Sequence, residues 1–371
     1  MASLTKTRRP KPSPSKHSLW RVAEAVTTPL VPGDYLDLFA PLRPGADLRA
    51  RVVAVRPETA DAATLLLKPG ADWDGHVPGQ YIRIGVDVDG VRHWRAYSLT
   101  HGPRTDGLIS VTVKAVADGI VSPYLVHQTK PGTLLHLEQA TGDFVLPDIP
   151  GKLLFITAGS GVTPVIGMLR NLFPVTDDGV FVPGRSGNLD ITVIHVAPSK
   201  PDSIFSDDLH ALHDAGAISL LARYDDVHGV LDINGLSDLV PDLAERTTYA
   251  CGPGALLDAL QTHHDARGLP LFTEQFRASF VEAGDGGTVA FQSTDVLVAA
   301  DGATPILDAA EAAGVLMPSG CRMGICYGCV LPLRRGAVRD LRTGDITTAT
   351  DDAVMVQTCI NAAAGDCQLE H

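Results

Sequence analysis

Apolar and polar residues change their rhythm twice along the chain. From residue 48 they alternate: Leu48–Val55, Gln80–Val86 and Leu108–Lys114 each put every second side chain on one face. The turn-forming pairs Pro78-Gly79, Asp89-Gly90 and Pro131-Gly132 separate such runs. Short alternating strands between turns predict an antiparallel β-barrel over 48–148, with one helix from about Ile120 to Gln128. From residue 149 the runs become continuously apolar (Lys152–Ala158, Asp190–Val196, Thr247–Cys251), and a helical stretch follows the first through Leu172. Strands buried on both faces of a parallel sheet require that pattern, so a Rossmann-like α/β domain is expected over 149–276. A linker follows at 277–287, containing Glu282 and Gly284 to Gly286. Beyond it, Thr288–Ser293 and Val296–Ala299 predict a hairpin, and Pro305–Ala313 a helix capped by Thr304. Cys329–Leu333 and Val354–Thr358 predict further strands of a small domain over 288–371, with Pro332 marking a bend or an edge.

Ahead of the barrel lie 47 residues of different character. Residues 1–18, rich in Pro, Ser, Lys and Arg, read as a disordered, solvated tail, and Trp20–Leu42 as a lead-in that packs on the first domain. Lys6, Arg8, Arg9, Lys11 and Lys16 have no apolar core behind them, so a signal peptide is not expected. No apolar run approaches a membrane span, and a cytoplasmic location is expected. A net charge of −13 argues against a nucleic-acid partner.

Chemistry concentrates in Cys321, Cys326, Cys329 and Cys359. The spacing C-x4-C-x2-C, then a gap, then C, is the plant-type [2Fe–2S] ligand pattern. Gly320, Gly324 and Gly328 interleave the loop and let backbone amides approach a cluster. A zinc site would call for a second C-x2-C pair or for His, and neither is near Cys359. Disulfides do not suit a chain of this length with six cysteines and no secretion signal. Cys367 is expected to be a free thiol.

Other signals are weaker singly. Arg95, Ala96, Tyr97 and Ser98 end a strand, where a cation and a hydroxyl suit a pyrophosphate and a Tyr ring suits a planar heterocycle. Gly119, Val121 and Ser122 open a helix, a favourable place for an anion. Read alone, Tyr97 is equally a core aromatic and Ser122 a plain cap. Gly159, Ser160, Gly161 and Thr163, with Pro164, follow an apolar strand and precede a helix, which is the architecture of a phosphate-binding turn, although the third Gly of the dinucleotide fingerprint is replaced by Pro. The strand ending at Val196 runs into Ser199 and Lys200, where a hydroxyl and a cation suit the 2′-phosphate of NADPH better than the ribose of NADH; Asp202 pulls the other way. Cys251, Gly252 and Pro253 follow a further strand, with Cys251 at the edge where open α/β sheets bind ligands.

In this order the motifs resemble the ferredoxin–NADP reductase family with a plant-type ferredoxin fused at the C-terminus. The resemblance covers about residues 48–371 and includes Glu274 and Phe276 as the family's E-x-F stretch. It implies an FAD-binding barrel, a nicotinamide-nucleotide domain and a β-grasp ferredoxin domain. Electrons are then expected to run from NADPH through FAD and [2Fe–2S] to an external one-electron acceptor protein, an oxygenase or an acyl desaturase. Thr163 and Cys251 are the residues expected beside the reacting rings. The lead-in and His195–Ser199 look most like actinobacterial reductases serving membrane-bound acyl desaturases, whose partner would bring the chain to a membrane periphery. Two other readings stand beside this one: a reductase of a soluble aromatic or alkane oxygenase, and a nucleotide-binding redox sensor or carrier without turnover.

Overall fold

The computed structural model describes residues 36–37, 39–88, 91–117, 119–147, 151–173, 189–276, 284–292, 296–320, 322, 324, 327–350 and 353–371. The expected basic tail, the lead-in before residue 36, the Asp89-Gly90 turn, 277–283 of the expected linker, and the candidate ligands Cys321 and Cys326 lie outside the described residues.

The first sheet is antiparallel and six-stranded: β1 (Arg49–Thr59), β2 (Ala62–Pro69), β3 (Tyr81–Val88), β4 (Val91–Ser98), β5 (Ile109–Lys114) and β6 (Leu134–Leu137), in the order β4-β3-β6-β1-β2-β5. A bridge between Leu99 and Val111 brings its two edges together and closes the barrel. Period-two alternation builds its core, with Val52, Leu65, Ile82, Ile84 and Val111 buried inside. The expected helix is a turn, Val121–Pro123, that continues as a π-helix over Tyr124–Gln128. Of the lead-in, Leu42 packs on Gly70 and accepts a hydrogen bond from the Ala71 amide.

The second sheet is parallel: β7 (Leu153–Ala158), β8 (Ile191–Ala197), β9 (Ser219–Tyr224), β10 (Thr247–Cys251) and β11 (Leu271–Glu274), in the order β11-β10-β7-β8-β9. Every residue of β8 is buried, as its apolar run predicts. Helices α1 (Val162–Leu172), α2 (Ser206–Asp214) and α3 (Gly254–Asp265) cover the faces. The chain moves outward from β7 to β9, then returns to place β10 on the other side of β7. That reversal opens a crevice at the carboxyl ends of β7 and β10, the place where open α/β sheets bind ligands.

The third sheet is mixed, in the order β13-β12-β19-β14-β17, from β12 (Gly287–Phe291), β13 (Leu297–Ala300), β14 (Val330–Arg335), β17 (Val354–Gln357) and β19 (Cys367–Leu369). β12 and β19 run parallel at its centre, with antiparallel neighbours outside, which is the β-grasp arrangement. Helix α4 (Ile306–Ala312) lays Ile306, Leu307 and Ala310 on the core, and β15 (Ala337–Asp340), β16 (Ile346–Thr348) and β18 (Asn361–Ala363) form a small side sheet. Two local expectations are corrected. Thr304 does not cap α4: Pro305 holds that position, and the Thr304 hydroxyl donates to Asp301 at 3.1 Å. Pro332 is not on an edge strand, because β14 lies between β19 and β17; the irregularity follows it, between Leu333 and Arg335. Gly284 already donates to Gly302, so contacts of this unit begin within the expected linker. Cys367 is a buried core thiol, its pKa pushed up to about 11 by burial. Among the described residues no helix is long and apolar enough to cross a membrane.

Candidate active site

Four chain segments meet where the barrel touches the parallel sheet. Ser98 ends β4, Cys251 ends β10 and Glu274 ends β11 directly opposite Cys251. The Ser98 hydroxyl donates to the Glu274 carboxylate at 3.5 Å, across the two sheets. The turn after β7 is the fourth segment. Gly161 sits so close to the end of β10 that a Cβ there would come within 2.0 Å of the Cys251 carbonyl oxygen. Gly159 is a glycine for another reason: its φ is +54°, with open space around it. Ser160 and Thr163 belong to this turn, but the Thr163 hydroxyl bends back to donate to the Ser160 carbonyl at 2.9 Å. Gly252 packs against Ala158, which joins the Cys251–Pro253 turn to the Gly-rich one.

Burial sets the protonation here. Glu274 is pushed up to about 8, so its carboxyl is largely neutral at pH 7. Cys251 is wholly buried and its thiol pushed well up, first by burial and then by Glu274. It is a neutral, compact side chain at the seam and not a thiolate nucleophile.

The barrel side presents Arg95, Ala96 and Tyr97 on β4. Arg95 Nη1 donates to the Trp94 carbonyl at 2.8 Å, and among the described residues no carboxylate makes a salt bridge to its guanidinium. Burial, and then the nearby Arg322 charge, lower its pKa. A half-buried cation without an ion-pair partner fits a diphosphate. Gly119, Val121 and Ser122 form a tight loop beside it: Ser122 Oγ accepts from the Val116 amide at 3.1 Å and keeps its own proton for donation, while Val121 is buried. Burial raises the Tyr97 pKa, so the ring stays a neutral phenol. Phe276, just beyond β11, packs half-buried on the core beneath α1. These residues fit the diphosphate and ring of a flavin dinucleotide.

Ser199 and Lys200 lie just past β8, as expected, but are differently engaged. The Ser199 hydroxyl donates to Asp202 at 2.5 Å. Lys200 lines a cleft of about 430 Å³ shared with Glu58, Asp207 and Asp208. Sequence reasoning missed Arg223. It lies on β9 opposite Val196, and its Nε is buried without a partner among the described residues. No strong alternation marks β9, so nothing in the sequence points to that edge. Glu274 was legible only as a motif letter; its place opposite Cys251 needs the strand register.

Among the described residues of the cysteine loop, Arg322 (φ 59°), Gly324 (φ 78°) and Tyr327 (φ 56°) are left-handed. Cys329 and Cys359 are buried and packed together with Leu307 and Ile360. Thr358 donates both its amide (3.1 Å) and its hydroxyl (3.0 Å) to the Cys329 carbonyl, and Gln357 Nε2 donates to Gly324 at 2.8 Å. Two buried thiols brought together beneath such a loop fit the terminal ligands of an iron–sulfur cluster.

Two family models match the chain: an oxidoreductase FAD-binding domain over residues 51–146, and a 2Fe-2S iron-sulfur cluster binding domain over residues 290–363. The chain is 44% identical over 383 aligned positions to an NADPH oxidoreductase of Mycobacterium tuberculosis (strain ATCC 25618 / H37Rv), covering 100% of this chain and 97% of that protein. It is 26% identical over 350 positions to the ferredoxin reductase component of 3-ketosteroid-9-alpha-monooxygenase from the same strain, covering 86% and 94%. In fold it is similar to phthalate dioxygenase reductase, with a TM-score of 0.61 at 18% identity over 87% of this chain and 97% of that one. With an FAD-binding barrel, a parallel nucleotide sheet and a [2Fe–2S] β-grasp unit in that order, the chain belongs to the ferredoxin–NADP reductase family of oxidoreductases, in its branch with a C-terminal plant-type ferredoxin domain.

Proposed function

We propose that the protein oxidises NADPH and delivers single electrons to an external oxygen-activating acceptor, an oxygenase or an acyl desaturase, in the cytoplasm. The observation that carries this reading is the seam where Ser98 of the barrel meets Glu274 and Cys251 of the parallel sheet. A flavin ring on Tyr97 and a nicotinamide above the β7–β10 crevice would meet there. When bound, FAD accepts a hydride from the nicotinamide and the [2Fe–2S] cluster relays electrons one at a time.

The chain's own residues bind and orient. Arg95, Ser122 and the Gly119 loop hold the flavin diphosphate. The Gly159–Gly161 turn and the start of α1 hold the nucleotide diphosphate. Cys251 and Gly252 supply a compact floor on which the nicotinamide can lie flat, and Thr163 fixes the turn through Ser160. Ser98 and Glu274 place a neutral hydrogen-bonding pair beside the reacting rings. Cys321, Cys326, Cys329 and Cys359 ligate the cluster. The domains run over 48–148, 149–276 and 288–371.

For NADPH over NADH, residues 197–200 just past β8 offer no carboxylate, Lys200 follows Ser199 there, and Arg223 brings a cation to the neighbouring strand β9. Ser199 must exchange Asp202 for the phosphate. The name of the 44% identical relative points the same way. The name of the 3-ketosteroid-9-alpha-monooxygenase relative supports an oxygenase-type acceptor.

Anaerobic titration of the FAD- and cluster-loaded protein tests the reading. NADPH should bleach the flavin and then raise the low-temperature EPR signal of a reduced [2Fe–2S] centre, with NADH much less effective. If neither nucleotide bleaches the flavin, the reductase reading is wrong. If NADH is the better donor, only the nucleotide assignment fails.

A further inference from the structure

Where the barrel meets the C-terminal unit, the Arg83 side chain crosses the gap. Arg83 lies on β3, paired with Ala96 of the flavin-motif strand, and is 9% exposed. Its Nη1 donates to both carboxylate oxygens of Glu138, at 2.8 and 2.7 Å. Its guanidinium lies 5.3 Å from the Trp94 ring centroid. The Glu138 amide in turn donates to the Arg83 carbonyl at 3.0 Å. Two neighbouring segments of the barrel therefore hold this guanidinium, and a rigid planar fork held on one side has its other arm aimed. That arm, Nη2, reaches the Ser319 carbonyl at 3.5 Å, the outer limit of a hydrogen bond. Ser319 lies two residues before Cys321. Arg322, just beyond, ion-pairs with Asp308 and Glu311 of α4, and all three act electrostatically on Arg95 of the flavin motif. The same seam thus joins the hairpin carrying the flavin motif to the segment that leads into the cysteine loop.

We propose that Arg83 is a positioning residue that seats the cluster loop on the flavin barrel and so sets the rate of electron transfer from flavin to cluster. The inference rests on the reductase reading above. The step concerned is one electron leaving the nucleotide-reduced flavin for the oxidised cluster; two such transfers and loss of one proton return the flavin to its oxidised form. Electron transfer falls steeply with separation, so a small displacement of the loop slows it. Hydride arrival at the opposite side of the seam does not involve Arg83. A lysine could not replace it, because one ammonium lacks the fork that serves Glu138 and Ser319 together.

The test is R83M in the FAD- and cluster-loaded protein, mixed anaerobically with NADPH. Flavin bleaching should stay within about twofold of wild type, while cluster reduction, followed by freeze-quench EPR, should slow by about tenfold or more. Hydrogen exchange of the 314–320 peptide should rise, with flavin content, EPR g-values and cluster potential unchanged. E138Q keeps the guanidinium but loosens its anchor, and should slow the same step less. The proposal is overturned if cluster reduction keeps its rate in R83M, if flavin bleaching slows in proportion, or if exchange at 314–320 does not change. Should R83M not fold, an E138Q rate equal to wild type overturns it as well. Failure of the wild-type cluster to respond to NADPH would instead refute the reductase reading.

Discussion

At the seam between barrel and sheet, Glu274 is a carboxyl whose surroundings oppose its charge. Burial raises its pKa from 4.5 to about 8, and the Ser98 hydrogen bond offsets only part of that. The folded protein therefore holds a proton that the unfolded chain releases between those values. Stability from this group is complete below about pH 4.5 and is lost as pH rises through 8. Each pKa unit is worth about 1.4 kcal/mol, so the effect is of the order of a few kcal/mol. Replacing Glu274 by Gln removes the titration and keeps the shape. Denaturant unfolding from pH 5 to 9 should show wild type losing stability between pH 5 and about 8 and levelling off above, with E274Q the flatter and, above pH 8, the more stable of the two. Equal slopes would show that Glu274 does not hold the proton. In the same variant the flavin-reduction rate should lose any step near pH 8.

At the scale of elements, the strand–turn–helix from β7 to α1 was legible almost to the residue. An apolar strand, two glycines and a proline at the helix start leave little freedom, and α1 ends at Leu172 as its periodicity predicts. Thr247–Cys251 was equally plain, because a short apolar run that ends before Gly252 and Pro253 has few alternatives. What the sequence could not supply is register. It names Ser98, Cys251 and Glu274 separately, yet only strand order puts them together, and it says nothing of Arg83 or Arg223, whose meaning comes from partners far along the chain. The two glycines of the turn give a separable test. Alanine at Gly161 drives a methyl into the Cys251 carbonyl, and neither backbone can yield cheaply. G161A should cost about 1–3 kcal/mol and slow flavin reduction by NADPH about tenfold or more, since the Cys251 turn moves with it. Alanine at Gly159 meets open space and pays mainly for its positive φ, about 1 kcal/mol or somewhat more. G159A should therefore lower the melting temperature with a much smaller loss of rate. If stopped-flow bleaching falls equally in both, close packing of the two turns is not what positions the nucleotide.

For the whole molecule, the question is what holds the barrel and the nucleotide sheet in one arrangement, since the seam exists only while they stay together. Arg170 of α1 is a polar tie between them. Its Nη1 donates to the Thr100 carbonyl of the barrel at 3.0 Å, its Nη2 pairs with Asp208 of α2 at 3.1 Å, and its guanidinium lies 4.9 Å from the Phe205 ring centroid. Glu58 of β1 feels the same cation and accepts from Thr64 at 2.6 Å. Burial raises the pKa of both Glu58 and Asp208, and Arg170 opposes that rise in each. In R170M the two carboxyls lose the cation, so their pKa values climb further above those of the unfolded chain. Below the unfolded values both are protonated in either state and the loss is smallest. As pH rises, the folded variant must hold protons or bury unpaired charge, and its deficit grows. Breaking a buried pair by removing one partner costs about 3–5 kcal/mol, and near neutral pH the deficit should approach that range. Thermal melts at pH 5 and pH 8 measure it directly: the gap between wild type and R170M should be clearly wider at pH 8. Because Arg170 reaches across to Thr100, two residues beyond Ser98, the same variant should also slow flavin reduction by NADPH. A gap independent of pH would mean that Arg170 contributes by packing on Phe205 and not by balancing the two carboxylates.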